Sequence, residues 1–191
     1  MLRLVILASG GGSLFQALID AQEHMGAHIV ALLADRDCGA INRAQAAGIQ
    51  THIVALGENR AEWDVALTDQ IADYQPDLVV SAGFMKVLGT RTLQVFGGRI
   101  INTHPALLPQ FPGAHAVRDA LAAGATATGC TVHVVDEGVD TGPVIDQRSV
   151  AIRADDDEAS LHERIRVVER ELIVDVVSRF ASGQLPLPWE V

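Results

Sequence analysis

The sequence predicts an α/β protein built on one mostly parallel, twisted sheet with helices on both faces. Three observations carry this expectation. Apolar runs of strand length recur along the 191 residues. Most are continuous rather than alternating, as in strands buried on both faces. Helical patterns separate the early runs, giving the β-α-β-α order of parallel sheets. Apolar residues make up 49% of the chain, which excludes a disordered polymer, and aromatics only 4%, so the core must be aliphatic.

The first run, "LRLVILA" (2–8), passes through "SGGGS" (9–13) into a helical segment whose Leu14, Ala17, Leu18 and Ala21 share one face. Further strands are expected at "HIVALLA" (28–34), "THIV" (51–54), "DLVVSA" (77–82), "RIINTH" (99–104) and "CTVHVV" (130–135). Between them Trp63, Leu67 and Ile71, with Tyr74, give a second helical face. "VIDQRSVAI" (144–152) alternates and is expected to add an antiparallel edge strand. "ADDDE" (154–158) places acids where a helix N-terminus favours them, so one long amphipathic helix is expected over 158–182. "LPLPWEV" (185–191) reads as a Pro-punctuated extension. No repeat, low-complexity tract or linker breaks the chain, and "HPALLPQFPGAH" (104–115) is too apolar for a flexible linker. It reads as a packed loop, a common place for function.

A formal charge of −10 without a basic stripe argues against a nucleic-acid partner. Any bound phosphate must then be held by local backbone amides. Cys38 and Cys130 show neither CxxC nor metal-ligand spacing and are expected to be reduced thiols, with no metal site. The apolar start is too short for a signal peptide, and no run reaches the roughly 20 apolar residues of a membrane span. A cytoplasmic protein is expected.

The glycine loop alone leaves its occupant open. Gly10-x-Gly12 begins a dinucleotide fingerprint, but Phe15 stands at the sixth position, where glycine allows close helix packing. Asp35, ending the second strand, is placed as a ribose-binding acid would be. No Lys follows the glycines, so a P-loop is excluded. Glycines and Ser13 at a helix start expose N–H groups that suit a phosphate monoester, and a purely structural turn is also possible.

"NTHP" (102–105) ends a strand, so Asn102 and His104 project to one face and Pro105 ends pairing. In "DEGVDTGPV" (136–144) Asp140 precedes a sharp Thr-Gly-Pro bend, while Asp136 and Glu137 read as solvated turn acids. An aspartate brought beside His104 would orient the ring and favour its proton-donating form. Asn, His and Asp together suit acyl or formyl transfer, with donors for an oxyanion and a carboxylate for proton movement.

"NTHPALLPQFPGAHAVRDAL" with "TVHVVDEGVDTGPVI" resembles the folate-dependent formyltransferases. With "ILASGGGSLFQAL" and "DLVVSAGFMKVL", nearly the whole chain is similar to the phosphoribosylglycinamide formyltransferase family. The resemblance implies one formyltransferase domain over 1–191, with a Rossmann-like, phosphate-binding half (1–100) and a catalytic, folate-binding half (101–191). It implies Asn102, His104 and Asp140 as the catalytic trio, and Gly11, Gly12, Ser13 and Leu14 as the loop holding a ribotide phosphate. Arg166 and Glu169, three apart on one helical face, would contact the phosphate and ribose. Met85, Lys86, Val87 and Leu88 would line the pterin pocket, joined by Asn102. The turn carrying Val135, Asp136, Glu137, Gly138 and Asp140 would close it, and Arg60 would lie near the folate tail. Leu14 stands where many members carry Asn, and Lys86 where many carry Arg.

The implied reaction moves a formyl group from 10-formyltetrahydrofolate, as cosubstrate and without a metal, to the amine of glycinamide ribonucleotide in purine biosynthesis. No covalent enzyme intermediate is needed. The implied protein is a monomer or homodimer with small-molecule partners, no nucleic acid and no membrane. Methionyl-tRNA formyltransferase would need a further RNA-binding domain, and formyltetrahydrofolate hydrolase normally carries an extra N-terminal regulatory domain. Another formyl-transferring or formyl-hydrolysing enzyme, or an NAD(P)-binding protein of the Rossmann type, is the alternative.

Overall fold

The computed structural model describes residues 1–187; residues 188–191, the end of the Pro-punctuated extension, lie outside the described residues. Among the described residues seven strands form one sheet: β1 (Leu2–Ala8), β2 (Ala27–Ala34), β3 (Gln50–Ile53), β4 (Leu78–Ser81), β5 (Ile100–His104), β6 (Ala127–Val134) and β7 (Val144–Ala151), in the order β3-β2-β1-β4-β5-β6-β7. The first five pair in parallel. The edge strand β7 is antiparallel to its neighbour, as expected, but the reversal lies one strand earlier: β6 runs against both β5 and β7. Apolar patterning reports which faces are buried, not which way a strand runs.

The layers explain the continuous apolar runs. In β1, Leu4 and Ile6 point into a core beneath α1 (Ser13–Ala21) and α6 (Glu158–Ala181), while Val5 and Leu7 point into a second core under α3 (Arg60–Ala72) and α4 (Thr90–Phe96). Both faces of the strand are therefore dry. Phe15 is wholly buried beside Leu14 and Leu18, so the residue that spoils the dinucleotide fingerprint is a core residue of α1.

Side-chain caps set where two helices begin. Asp157 and Ser160 form a reciprocal capping box on α6, with Ser160 N–H donating to Asp157 Oδ1 at 2.8 Å and Asp157 N–H to Ser160 Oγ at 3.0 Å. Asn59 caps α3 by accepting from the Ala61 and Glu62 N–H groups. Three further helices, α4, α2 (Gly39–Ala46) and α5 (Ala116–Ala122), are seven or eight residues long and are not among the elements expected from the sequence. The N-terminus of α4 is capped from outside. Buried Asp64 of α3 accepts from Arg91 N–H at 2.7 Å, Thr92 N–H at 3.2 Å and Thr92 Oγ at 2.6 Å. Gly89 leaves room for that carboxylate, since a Cβ there would lie 2.2 Å from Asp64.

Strand order reverses around β1, with β2 on one side and β4 on the other. Open α/β sheets bind ligands outside the carboxyl ends of strands at such a switch point. The glycine loop after β1, the 82–89 segment after β4 and the loop after β5 all leave the sheet there. Among the described residues no helix is long and apolar enough to cross a membrane.

Candidate active site

The packed loop after β5 and the acidic turn after β6 converge on one carboxylate. Asp140 Oδ2 accepts the Gly113 N–H at 2.8 Å and lies 3.3 Å from His104 Nδ1. Asp140 Oδ1 lies 3.5 Å from Nε2 of His133. The sheet register places His133 opposite Asn102, and their side chains meet, with Asn102 Nδ2 3.2 Å from His133 Nε2. The expected trio is thus assembled, and a fourth polar residue joins it.

His133 was not singled out from the sequence. It sits in the apolar run "CTVHVV", where an isolated histidine reads as core. The available signal was its parity: Thr131 and His133 share a face just as Asn102 and His104 do, and antiparallel pairing puts the two faces together.

The turn is built tightly enough to carry Asp140 back over the sheet. Asp136, although exposed, accepts from Gly138 N–H at 3.0 Å and Thr141 Oγ at 2.7 Å, so this expected solvated acid organises the turn. A Cβ on Gly142 would lie 1.9 Å from the Val134 carbonyl oxygen. Asp140 itself adopts φ 56°, the left-handed region in which Asn and Asp are tolerated. Glu137 and Gly138 are exposed at the tip.

The carboxyl of Asp140 is held below the ordinary carboxylate range. The hydrogen bond from His133 is the main cause; burial opposes it, and the Gly113 N–H and the charges of His104 and His133 add to the lowering. His104 is 4% exposed, and its Nε2 lies 2.8 Å from the Phe111 carbonyl oxygen. Both of its nitrogens thus face acceptors, an arrangement that a ring protonated at both nitrogens satisfies in full.

The glycine loop ends at Gly12, which precedes α1 in the left-handed conformation (φ 72°) and provides no side-chain cap. The N–H groups of Gly11 through Phe15 have no acceptor among the described residues, an anion site of the kind helix starts provide. A Cβ on Gly12 would lie 2.9 Å from Ala40, whereas Gly11 faces open space. Leu14 keeps its N–H at this terminus but buries its side chain, 8% exposed, in the core. A cleft of about 890 Å³ between α1, α2 and α6 takes in Ser13, Gln16, Arg43 and Arg170, but neither the trio nor Arg166.

Arg166 is half exposed and paired with Glu163 at 3.4 Å. Glu169 is buried on α6, and burial pushes its carboxyl up against the opposing pull of the Thr103 hydroxyl, Arg166 and Arg170. Thr103 alternates with Asn102 and His104, so Glu169 meets the sheet on the face opposite the trio. These two helix residues are not drawn into the cluster around Asp140.

The 82–89 segment is pinned from several sides. Met85 N–H donates to Ser9 Oγ at 2.8 Å, Lys86 Nζ lies 3.6 Å from Asp35, and the Arg60 guanidinium donates to the Val87 carbonyl. Leu88 is buried, with Val135 packed against the same core. Met85 and Val87 are 71% and 54% exposed, and Val139 on the acidic turn is 54% exposed. Apolar side chains held open on two ordered loops suit a flat, partly apolar ring.

Cys38 and Cys130 are free thiols, as expected; burial, with a smaller contribution from Glu169, pushes the Cys130 thiol up to about 12. Among the described residues no group of three or more His, Cys, Asp or Glu side chains could hold a metal ion.

A formyl transferase family model matches residues 2–177. A phosphoribosylglycinamide formyltransferase of Mycobacterium tuberculosis is 51% identical over 183 residues, covering 94% of this chain and 85% of the relative. The enzyme of that name from Escherichia coli is 38% identical over 191 residues, covering 97% and 90%. The crystal structure of glycinamide ribonucleotide transformylase 1 from Symbiobacterium toebii superposes with a TM-score of 0.93 at 35% identity, covering 100% of this chain and 92% of that one. With the fold, the assembled Asn-His-Asp cluster and these likenesses in agreement, the chain belongs to the phosphoribosylglycinamide formyltransferase family.

Proposed function

We propose that this protein transfers the formyl group of 10-formyltetrahydrofolate to the amine of glycinamide ribonucleotide, a step of purine biosynthesis. The observation that carries the mechanism is the Asp140 carboxyl group set between His104 and His133, with Asn102 beside His133.

The folate supplies an activated formyl carbon on N10. The pterin ring is held by Met85, Lys86, Val87 and Leu88 and by the turn from Val135 to Asp140, with Asn102 at its inner end and Arg60 toward the tail. The ribotide phosphate sits on the free N–H groups of Gly11, Gly12, Ser13 and Leu14, with Arg166 reaching the phosphate and Glu169 the ribose from α6. Because that site is built from backbone dipoles, it works in a protein of strongly negative net charge.

The ribotide amine attacks as the neutral base. As its nitrogen bonds the formyl carbon, negative charge develops on the formyl oxygen, and the Asn102 amide donates to it. His104, oriented by Asp140 and the Phe111 carbonyl, adds positive charge to the same region. The amine must lose one proton and N10 must gain one as the carbon–N10 bond breaks. Asp140, ionised and hydrogen-bonded, passes that proton through water rather than keeping it. No enzyme nucleophile takes part, which agrees with a cysteine as buried and proton-retaining as Cys130.

The test is a spectrophotometric assay of tetrahydrofolate formation. Product that appears only with glycinamide ribonucleotide supports transfer; formate release without ribotide would make the protein a hydrolase.

A further inference from the structure

Asp35 follows directly on β2, with its side chain 1% exposed. Its Oδ2 accepts from the Arg36 guanidinium at 2.8 Å and lies 3.6 Å from Lys86 Nζ. Its Oδ1 is buried with no hydrogen-bond partner among the described residues. An unmatched buried carboxylate oxygen is costly, so a native site that keeps one calls for an explanation. Arg36 alone does not provide it, because its side chain is 54% exposed and does not need a buried partner.

What surrounds Asp35 does. Ser9, whose hydroxyl is close enough to stabilise the Asp35 charge, accepts the Met85 N–H at 2.8 Å, and its own N–H donates to the Gly83 carbonyl at 3.1 Å. Two consecutive residues of the pterin segment are therefore tied to one spot, Met85 through its backbone and Lys86 through its ammonium. Ser9 is also the residue from which the glycine loop departs. The chain after Asp35 grips that loop from its other side: Ala40 N–H donates to the Gly10 carbonyl at 3.0 Å, and Arg43 Nε to the Gly11 carbonyl at 2.7 Å. Burial would push the Asp35 carboxyl up, but the Arg36 hydrogen bond, the Ser9 hydroxyl and the Arg36 and Lys86 charges hold it below the ordinary range.

We infer that Asp35 is a positioning residue that couples the two substrate sites, making the geometry of the ribotide loop at Gly10–Gly12 and that of the pterin segment at Met85–Val87 depend on each other through Ser9 and Lys86. Asp35 touches neither reacting group. A phosphate that orders the glycine loop seats Ser9, and with it the Met85 amide. The folate, by ordering Lys86, returns the same effect to the loop, because coupling free energy is reciprocal. This inference rests on the formyltransferase reading, which assigns one ligand to each loop.

The experiment is calorimetric titration of glycinamide ribonucleotide into the wild type, Asp35→Asn and Lys86→Met, with and without a saturating, unreactive folate analogue. In the wild type the analogue is expected to tighten the ribotide Kd by about fivefold or more, the low end of ordinary coupling. In both variants that tightening is expected to vanish. A merely structural Asp35 would lower the Tm and weaken both ligands while leaving the ratio unchanged. Should Asp35→Asn fail to fold, Lys86→Met decides alone, since that side chain is 27% exposed and outside the core. A wild type without coupling, or a variant that retains it, overturns the inference. A wild type that binds neither ligand instead overturns the formyltransferase reading itself.

Discussion

His133 Nε2 stands 3.5 Å from Asp140 Oδ1, on the side of the carboxylate away from His104. Of the interactions that lower the Asp140 pKa, the one with His133 is the largest. His133→Ala should therefore let the carboxyl rise toward its ordinary value. Catalysis uses ionised Asp140, so the acid limb of the kcat/KM profile should move to higher pH, and profiles of variant and wild type check this. Stability follows the same sign. Ionised Asp140 contributes stability above its unfolded-state pKa, and that contribution is lost as pH falls through the depressed folded value. His133→Ala should shrink this contribution, which urea titrations at several acidic pH values would read out.

The two glycines of the phosphate loop should respond differently. Gly12 combines φ 72° with a Cβ position 2.9 Å from Ala40, so Gly12→Val should cost about 1–3 kcal/mol in stability from backbone strain alone, with further cost from the collision. It is a poor probe of binding. Gly11→Ala places its methyl in open space beside the free amides. Its Tm should stay close to wild type while the ribotide KM rises and the folate KM does not. A rise in folate KM alone would put the loop at the wrong substrate.

Leu14 separates the backbone of the loop from its side chains. Its side chain is core, so Leu14→Ala should destabilise by about 2–5 kcal/mol. Its N–H remains at the helix start, so the ribotide KM of the folded fraction should change little. Denaturation curves and steady-state kinetics on the same preparation check both halves.

Asp64 links the fold to the folate segment. Asp64→Ala would leave the Arg91 and Thr92 N–H groups unsatisfied, at about 1–3 kcal/mol for a buried group. Because α4 follows directly on the 82–89 segment, the folate KM should rise more than the ribotide KM. Equal effects on both would confine Asp64 to stability.

Much of this molecule is legible in its residues, for identifiable reasons. Doubly buried strands such as β1 announce themselves because both side-chain sets are apolar. The capping box at Asp157 marks the start of α6. Asn102, His104 and Asp140 are visible because polar residues at strand ends and turns stand out against an apolar background. The direction of β6 is not visible, since a strand buried on both faces reads the same either way. His133 is hidden for a related reason, because its partners become neighbours only once β6 is known to run against β5. The helices α2 and α4 are short, and α4 takes its cap from Asp64, far away in sequence. The buried polar roles of Asp35 and Asp64 belong to tertiary structure, and no local pattern encodes them.

If this cluster stabilises charge developing on the formyl oxygen, Asn102 is the residue that reports it most directly. The decisive measurement is kcat for ribotide-dependent tetrahydrofolate formation by Asn102→Ala beside the wild type, with Tm measured on both. A loss of roughly 10²-fold or more is expected, the scale of one oxyanion donor, with Tm nearly unchanged because Asn102 lies near the end of its strand and is not fully buried. A correctly folded variant with near-normal kcat would contradict it.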